Sequence, residues 1–433
     1  MTDSVFEDAV LATVPQLNIF SKPLIQTAVE KVHFVEYQSV NQIATQDAPI
    51  TFHLGGDSQD YLDLSRGRLF VRVKLVKEDD TSVPAAEKPA PVNLVLHSLF
   101  SQVEVCISGK NLSIANNCHP YKAYLKTVLT TSEDAKNSLL STQGYNGDSG
   151  NLDKVTSNPS ALERARIFGQ SALVELEGPL LEDCLQLKKF LPNNTGVRLK
   201  LYPSRPQFHV ITEEDDKKYK LKIVDISYKA CYVSVNPSII AAHAKVMEKA
   251  NAIYEYTKVD IKTHTVSSGS SGFTIDNMFN GECPTKVFCF LVDSAGFHGD
   301  YKKNPFNLIG ANLSSIELSA NGVAVPARSM PLTFDSEGRG VTQAVARLFD
   351  TIGASDNPSF GNSVNCKSFA SGYAIYAFPV YGSGAHDLQV KRTANIRLQA
   401  SFSTALTKAI TVCVYAEFPT FFELEASRNV VTH

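Results

Sequence analysis

Four segments in the first half of the chain have a counterpart in the second half, in the same order. The pairs are 33–40 with 253–259, 103–112 with 315–323, 168–180 with 369–381, and 196–202 with 395–401. In the second pair VEVCISGKNL is matched by SIELSANGV, and in the fourth GVRLKLY is matched by NIRLQAS. The spacing between copies shrinks along the chain, as it does when repeated strands keep their order while loops change length. The repeat predicts two similar domains in tandem.

Apolar and polar side chains alternate with a period of two along much of the chain. The segment 69–75, LFVRVKL, follows this pattern, and so do 197–201 and 396–402. Such alternation is typical of strands that place one face on a core and the other on polar surroundings. With many strands, few helical segments and long polar loops, it predicts an all-β fold. We expect two tandem antiparallel eight-stranded jelly-roll sandwiches, a double jelly roll, with a few short helices in the loops.

The chain is divided into four parts on this basis. Residues 1–32 contain prolines and scattered apolar side chains and are interpreted as an N-terminal arm. The first and second jelly rolls are predicted at 33–236 and 252–433. The segment 237–251 is helix-prone, has Asn236 or Ser238 as candidate caps, and is interpreted as a helical linker.

Two helices and two surface segments are also predicted. Helices are expected at 121–129 and 342–349, each after a repeated strand pair. The segment 267–272, SSGSSG, lies between two strand-like runs and is interpreted as a hairpin loop. The charged run 213–218, EEDDKK, is either a site for a cation or basic partner or a solvated hairpin tip, and the second reading is favoured.

Composition and charge limit the possible functions. The 433 residues carry a net charge of −3, from 41 basic and 44 acidic side chains, which gives no electrostatic argument for tight or sequence-specific nucleic-acid binding. The segment MTDSVFEDAV is acidic and has no apolar signal core, and no apolar run reaches membrane-spanning length, which predicts a protein made inside the cell and not secreted. Eight scattered cysteines without a CxxC pair predict reduced, mostly buried thiols.

No motif predicts a catalytic, cofactor-binding or metal site. The ten histidines include no HxH, HExxH or Cys/His metal spacing, and no phosphate-binding glycine loop occurs. Asp57, Asp60 and Asp63 could form a calcium loop, but their spacing is not that of an EF-hand, so turn and edge roles are favoured. The segment 300–306, DYKKNPF, is either a binding motif or a structural turn, and Asn304 before Pro305 favours the turn.

Two longer segments carry a resemblance to a known family. Residues 49–75 contain YLDLSRGRLFVRVKL, and residues 283–307 read CPTKVFCFLVDSAGFHGDYKKNPFN. With shorter matches up to EASRNVV at 425–431, the chain resembles the double jelly-roll major capsid proteins of Polinton/Maverick elements and adintoviruses over roughly residues 30 to 430. The positions that carry the resemblance are Tyr61, Asp63, Pro284, Asp293, Gly299, Asn304, Pro305, Phe306, Gly322, Tyr373, Arg397, Tyr415 and Glu417.

The resemblance implies a structural function in a virion. It implies that three chains form a homotrimer with six lobes, a pseudo-hexamer, and that trimers tile an icosahedral capsid around a double-stranded DNA genome. It also implies a penton protein and minor capsid proteins as partners, and no cofactor. Phenylalanines at loop and arm positions are the candidates for contacts between lobes or subunits: Phe6, Phe20, Phe306, Phe421 and Phe422.

Two other classes of function remain open. Some glycan-cleaving enzymes are also built from paired jelly rolls and cut with carboxylates. The chain has no tryptophan and no secretion signal, which disfavours this class. A capsid-derived protein that a host has retained as a binding protein is the other alternative, and the sequence does not separate it from a working capsid protein.

Overall fold

The computed structural model describes most of the chain. The described residues are 15–17, 19–20, 22, 25–41, 48–55, 59–335, 337–355, 357, 360–381 and 392–432. Asp57 and Phe6, both singled out from the sequence, lie outside them.

The first half contains two facing four-stranded antiparallel sheets and a small strand pair. Its strands are β1 Val29–Gln38, β2 Ile50–Leu54, β3 Tyr61–Lys77, β4 Ala90–Pro91, β5 Phe100–Ile107, β6 Lys110–Asn111, β7 Val174–Gly178, β8 Val197–Pro203, β9 Val210–Ile211 and β10 Tyr219–Val235. The sheets have the orders β1-β10-β3-β7 and β2-β8-β5-β6, and β4 pairs with β9. Strand β1 begins inside the segment interpreted as an arm from the sequence.

The second half repeats this topology. Its strands are β11 Ala252–Val266, β12 Gly272–Ile275, β13 Lys286–Asp293, β14 Leu313–Ala320, β15 Val323–Pro331, β16 Ile375–Pro379, β17 Ile396–Phe402, β18 Ile410–Leu424 and β19 Val430–Thr432. The sheet orders are β11-β18-β13-β16 and β12-β17-β14-β15, with β19 added beside β18. Each half is thus an antiparallel jelly roll with the same strand order, and the predicted fold class is confirmed.

The four repeated segments fall on topologically equivalent strands. The segments 33–40 and 253–259 lie in β1 and β11, the first strands of the two sandwiches. The others lie in the hairpins β5–β6 and β14–β15, in β7 and β16, and in β8 and β17. The repeat in the sequence therefore corresponds to a repeat of the strand topology.

Alternation determines which face of each strand is buried. In β3, Leu69, Val71 and Val73 are fully buried, whereas Arg72 and Lys74 lie on the other face of the sheet and are partly exposed. In β17 the pattern is strict, with Ile396 and the alternate residues up to 402 buried and the intervening ones exposed. Because side chains of a strand point alternately to opposite faces, this pattern fixes the register of each strand.

Short helices fill the connections. They are α1 Val95–Ser98, α2 His119–Thr130, α3 Glu133–Asn137, α4 Pro159–Ile167, α5 Pro206–His209, α6 Pro237–Met247, α7 Ser294–His298, α8 Thr342–Ile352 and α9 Cys366–Ala370. The helices expected at 121–129 and 342–349 are α2 and α8. Asn236 is the cap of α6, and its side chain accepts a hydrogen bond from Ser238 N at 3.0 Å. The division into four parts stays a prediction.

Two interpretations of connecting segments need correction. The segment 267–272 is not a hairpin loop, because β11 pairs with β18 and β12 pairs with β17, in different sheets. The run 213–218 is solvated as predicted but is not a hairpin tip, since β9 pairs with β4 and β10 lies between β1 and β3. A Gly/Ser-rich or charged run indicates a turn, but it does not indicate which strands that turn joins. The eight cysteines are free thiols, and six of them are buried, as predicted.

The long polar segment 132–160 is organised by a buried arginine. Arg164, at the end of α4, lies in the interior, where its guanidinium donates to Asp148 Oδ1 at 2.8 Å and to Pro91 O at 2.8 Å. A buried charge needs such partners, because desolvation without them costs several kcal/mol. The loop is therefore anchored to the first jelly roll.

A glycine in β3 shows how closely the first core is packed. A Cβ atom on Gly67 would lie 2.0 Å from Tyr228 Oη, and Tyr228 is itself buried. We predict that Gly67→Ala lowers the free energy of unfolding by about 1–3 kcal/mol, the usual cost of overpacking. The measurement is thermal denaturation followed by circular dichroism. Gly147→Ala is the control, because no atom lies within 4 Å of the Cβ position there. Equal melting temperatures of the two variants would contradict the prediction.

Candidate functional site between the two jelly rolls

Helix α2 belongs to the first jelly roll but packs into the core of the second. Its residues Tyr121, Tyr124, Leu125 and Val128 are buried in the same hydrophobic cluster as β13 and β18. Tyr121 and Tyr124 are three residues apart and therefore lie on the same face of the helix. The helix thus presents an aromatic face to the second jelly roll.

Phe306 is the centre of this contact. Its ring stacks on Tyr124 with a centroid distance of 4.3 Å and an interplanar angle of 12°. It also meets Tyr121 and Phe208 edge to face, at 5.8 and 6.1 Å. We use "aromatic cluster" for Tyr121, Tyr124, Phe208, Phe290, Phe297 and Phe306, three residues from each jelly roll. Such pairs stabilise by about 0.5–1.5 kcal/mol each beyond the burial of their area.

The turn that carries Phe306 is held by polar groups of the first jelly roll. Asn304 Nδ2 donates to Leu152 O at 3.2 Å, while Asn304 Oδ1 accepts from Phe306 N at 3.0 Å. Asp153 accepts from Asn304 N at 3.1 Å and forms an ion pair with Lys303 at 2.8 Å. These contacts fix the direction in which Phe306 points. They place the 300–306 segment in a structural turn, as favoured from the sequence.

The second jelly roll in turn contributes to the first core. Tyr254, Phe422 and Leu424 belong to the cluster formed by β3, β5 and β8. The rings of Tyr254 and Phe422 stack at 5.0 Å, and Tyr254 Oη donates to Phe190 O at 2.9 Å. Each core therefore contains side chains of the other half, so the two sandwiches share their interior rather than touching at a surface.

A buried charged network crosses the same interface. The ammonium of Lys122 lies 2.7 Å from Glu182 Oε2 and 2.8 Å from Asp183 Oδ2, and His119 Nδ1 donates to Glu182 Oε1 at 2.6 Å. Asp183 Oδ2 also accepts from Val259 N, in the second jelly roll, at 2.8 Å. Mutual pairing compensates for the burial of these charges. The network therefore ties α2 to strand β11.

The environment shifts the titration of these buried groups. Burial would raise the pKa of Glu182, but the charge of Lys122 and the hydrogen bond from His119 hold it at about 2. Burial, together with the neighbouring His119, lowers the pKa of His97 to about 3. Burial alone lowers the pKa of His209 to about 3. Both His97 and His209 are therefore neutral in the folded protein near pH 7.

Five positions from the sequence resemblance lie on this interface. Asn304, Pro305 and Phe306 form the buried turn just described. Gly299 has a φ of 97°, and a Cβ there would meet Gln207 Cβ at 3.2 Å, so a side chain would separate the turn from α5. Tyr373 Oη donates to Asp148 O in the first jelly roll at 2.9 Å.

Four other positions shape turns and edges. Asp63 accepts from Ser65 N and Oγ, and Asp293 caps α7 by accepting from Ala295 N. Gly322, with a φ of 80°, forms the tight turn between β14 and β15 together with Asn321. Arg397 is exposed on β17 and pairs with Asp276 at 3.3 Å.

The remaining four positions include one neighbouring pair, Tyr415 and Glu417, whose side chains interact on β18. Tyr61 is buried, and its hydroxyl lies 3.0 Å from His243 Nδ1 in α6. Pro284 is buried before β13. Tyr415 packs edge to face on Phe288 at 5.7 Å. Glu417 lines a cavity between the jelly rolls.

The candidate interface phenylalanines have different environments. Phe421 and Phe422 lie in strand β18 and not in a loop or arm, which corrects the placement made from the sequence. Phe306 and Phe422 are fully buried between the jelly rolls, and Phe421 is half-buried. Phe20 is 90% exposed. Their assignment to contacts between subunits stays a prediction.

Sequence reasoning missed the first-half partners of this interface. Tyr121 and Tyr124 were recognised only as part of a helix, and Asp153 lies in a loop whose composition is that of an ordinary polar surface. The spacing of the two tyrosines is the one signal from which an aromatic face of the helix could have been predicted. No group of three or more metal-ligating side chains is found within the described ranges, nor does any helix described there have the length and hydropathy to cross a membrane.

We predict that Phe306→Ala strongly destabilises the protein. Removing a fully buried ring that three aromatic side chains surround costs about 3–5 kcal/mol. Chemical denaturation measures the change. The control is Leu139→Ala, which shortens a side chain that is 65% exposed and is expected to leave the transition where it is. A Phe306→Ala transition that coincides with that of the control would contradict the central role of this ring.

We also predict that stability falls as the pH falls below 7. The folded-state pKa of His209 lies at about 3, below that of an unfolded histidine, so the unfolded chain binds more protons once the pH drops through about 6.5. His209→Asn should therefore show a shallower fall in melting temperature between pH 7.5 and 5.5. The same substitution at exposed His53 should leave the slope unchanged. Parallel pH profiles for all three proteins would contradict this.

No family model and no curated protein matches the chain. Solved structures match it along nearly its whole length. A chain of the Sputnik virophage cryo-EM structure superposes with a TM-score of 0.62 at 11% identity, covering 98% of this chain and 93% of that one. The PBCV-1 virus capsid superposes with a TM-score of 0.60 at 10% identity, and the match covers 96% of this chain and 99% of that one. The mavirus major capsid protein superposes with a TM-score of 0.56 at 11% identity, and the match covers 98% of this chain and 95% of that one. The protein therefore has the double jelly-roll fold of viral major capsid proteins.

Proposed function

We propose that the protein is a major capsid protein, a structural protein of a virion with no catalytic role. The observation that carries the proposal is the double jelly roll itself, which matches viral capsid chains over nearly the full length of both partners. We propose the Polinton/Maverick or adintovirus type from the motifs at 49–75 and 283–307.

The repeated topology supports assembly into a trimer. Two sandwiches with the same strand order give each chain two similar lobes, so three chains around a threefold axis form six lobes. Such a unit packs in a hexagonal lattice, while the differences between the lobes allow different contacts on alternate edges. We propose that these trimers tile an icosahedral shell around a double-stranded DNA genome.

The interface between the jelly rolls suits this role. A shell subunit must hold the angle between its lobes, because an error in that angle would be repeated at every lattice contact. The aromatic cluster, the Asp153 contacts and the Lys122 network all restrain that angle.

The proposal extends to domains and partners. We propose an arm at 1–32, jelly rolls at 33–236 and 252–433, and a helical linker at 237–251. We propose a penton protein at the vertices and minor capsid proteins as partners. Phe20, Phe421 and the arm residue Phe6 are the proposed contacts between subunits.

We predict that the purified protein is a trimer. Its mass in solution, measured by light scattering after size exclusion, should be three times that of the 433-residue chain, and negative-stain images of the same peak should show hexagonal outlines. The control is a series of protein and salt concentrations, because a non-specific aggregate would change its mass along the series. A monomer under every condition would contradict the proposal and favour a glycan-cleaving enzyme or a retained binding protein.

A further inference from the structure

A polar cavity lies between the two jelly rolls, beside the charged network. Its volume is about 410 Å³, within the range of small-ligand sites. The first jelly roll contributes the end of α2 and the segment 186–189, and the second contributes parts of β11, β13 and β18. A molecule bound there would contact both halves of the chain.

Four lysines line the cavity wall. Lys126, Lys188 and Lys189 line it from the first jelly roll and Lys286 from the second. Within the part of the chain that the structure describes, the ammonium groups of Lys126 and Lys286 form no ion pair and no hydrogen bond, and both side chains are half-buried. An ammonium that lacks a partner in a partly desolvated wall favours an anion as ligand.

Three carboxylates also line the wall, Asp183, Glu417 and the exposed Glu255, against the four ammonium groups. Asp183 is already paired with Lys122. Glu417 lies opposite Lys286 in the pairing of β13 with β18; burial raises the pKa of its carboxyl, and the charge of Lys286 opposes that rise. Burial also lowers the pKa of Lys126, and a bound anion would stabilise its ammonium form.

We propose that this cavity binds a compact polyanion whose phosphate or carboxylate groups are held by Lys126 and Lys286. Because the two lysines belong to different jelly rolls, the anion stabilises the relative position of the lobes. The tyrosines Tyr254 and Tyr256 add rigid walls around the ligand. This inference goes beyond the capsid role and does not depend on it.

The test uses the full chain and two probes at constant ionic strength, inorganic tripolyphosphate and citrate. Isothermal titration calorimetry should show one saturable site per chain for at least one probe. At a saturating concentration that probe should raise the melting temperature by at least about 2 °C, because a ligand that binds only the folded state stabilises it. Binding of tripolyphosphate alone identifies a phosphate ligand, and binding of citrate alone identifies a carboxylate ligand. Absence of saturable binding of both probes would overturn the proposal.

Variants locate the site. Lys286→Gln and Lys126→Gln should each weaken binding by at least about tenfold, since each removes a charge-assisted contact. Lys286→Arg should retain binding. Lys262→Gln is the control, because Lys262 is exposed on the same sheet and pairs with Asp260 outside the cavity. If Lys126→Gln does not fold, Lys286→Gln decides the test alone. Affinities equal to that of the control would overturn the proposal, whatever the oligomeric state.

Discussion

The stacking of Phe306 on Tyr124 is the contact on which the arrangement of the two jelly rolls depends. Each ring belongs to a different sandwich, and each is completely or almost completely buried. Two sandwiches joined only by a linker would be free to rotate against each other, since contacts between domains are commonly small and polar. Here the second sandwich is packed around a helix of the first. We therefore expect the chain to behave as one body with two lobes.

Polar contacts fix the orientation in which Phe306 packs on Tyr124. Asp153 binds the turn that carries Phe306, and Tyr373 reaches the same loop of the first jelly roll. Asp183 joins the Lys122 network to strand β11. Buried hydrogen bonds contribute modestly to stability, but a misplaced partner leaves a desolvated group without one. They therefore select one relative position of the lobes among the many that hydrophobic packing alone would allow.

The sequence was sufficient to predict the fold, because period-two alternation is a local signal that each strand carries by itself, and the internal repeat shows the same strand order in both halves. The 69–75 and 396–402 patterns determined both strands and their buried faces. The interface was much harder to predict, because its residues are separated in sequence and each has an ordinary local context. Asp153 lies in a polar loop, and nothing nearby indicates that it binds Asn304. The 267–272 connection was assigned wrongly for a related reason, since its composition indicates a turn but not a change of sheet.

The central claim is that the two jelly rolls form one cooperative unit through a shared core. Differential scanning calorimetry of the intact chain tests it most directly. The account predicts a single transition in which both sandwiches unfold together, because neither sandwich keeps its core when the other unfolds. Two separate transitions, each with the enthalpy of one sandwich, would contradict it and would mean that the aromatic cluster joins two independent domains.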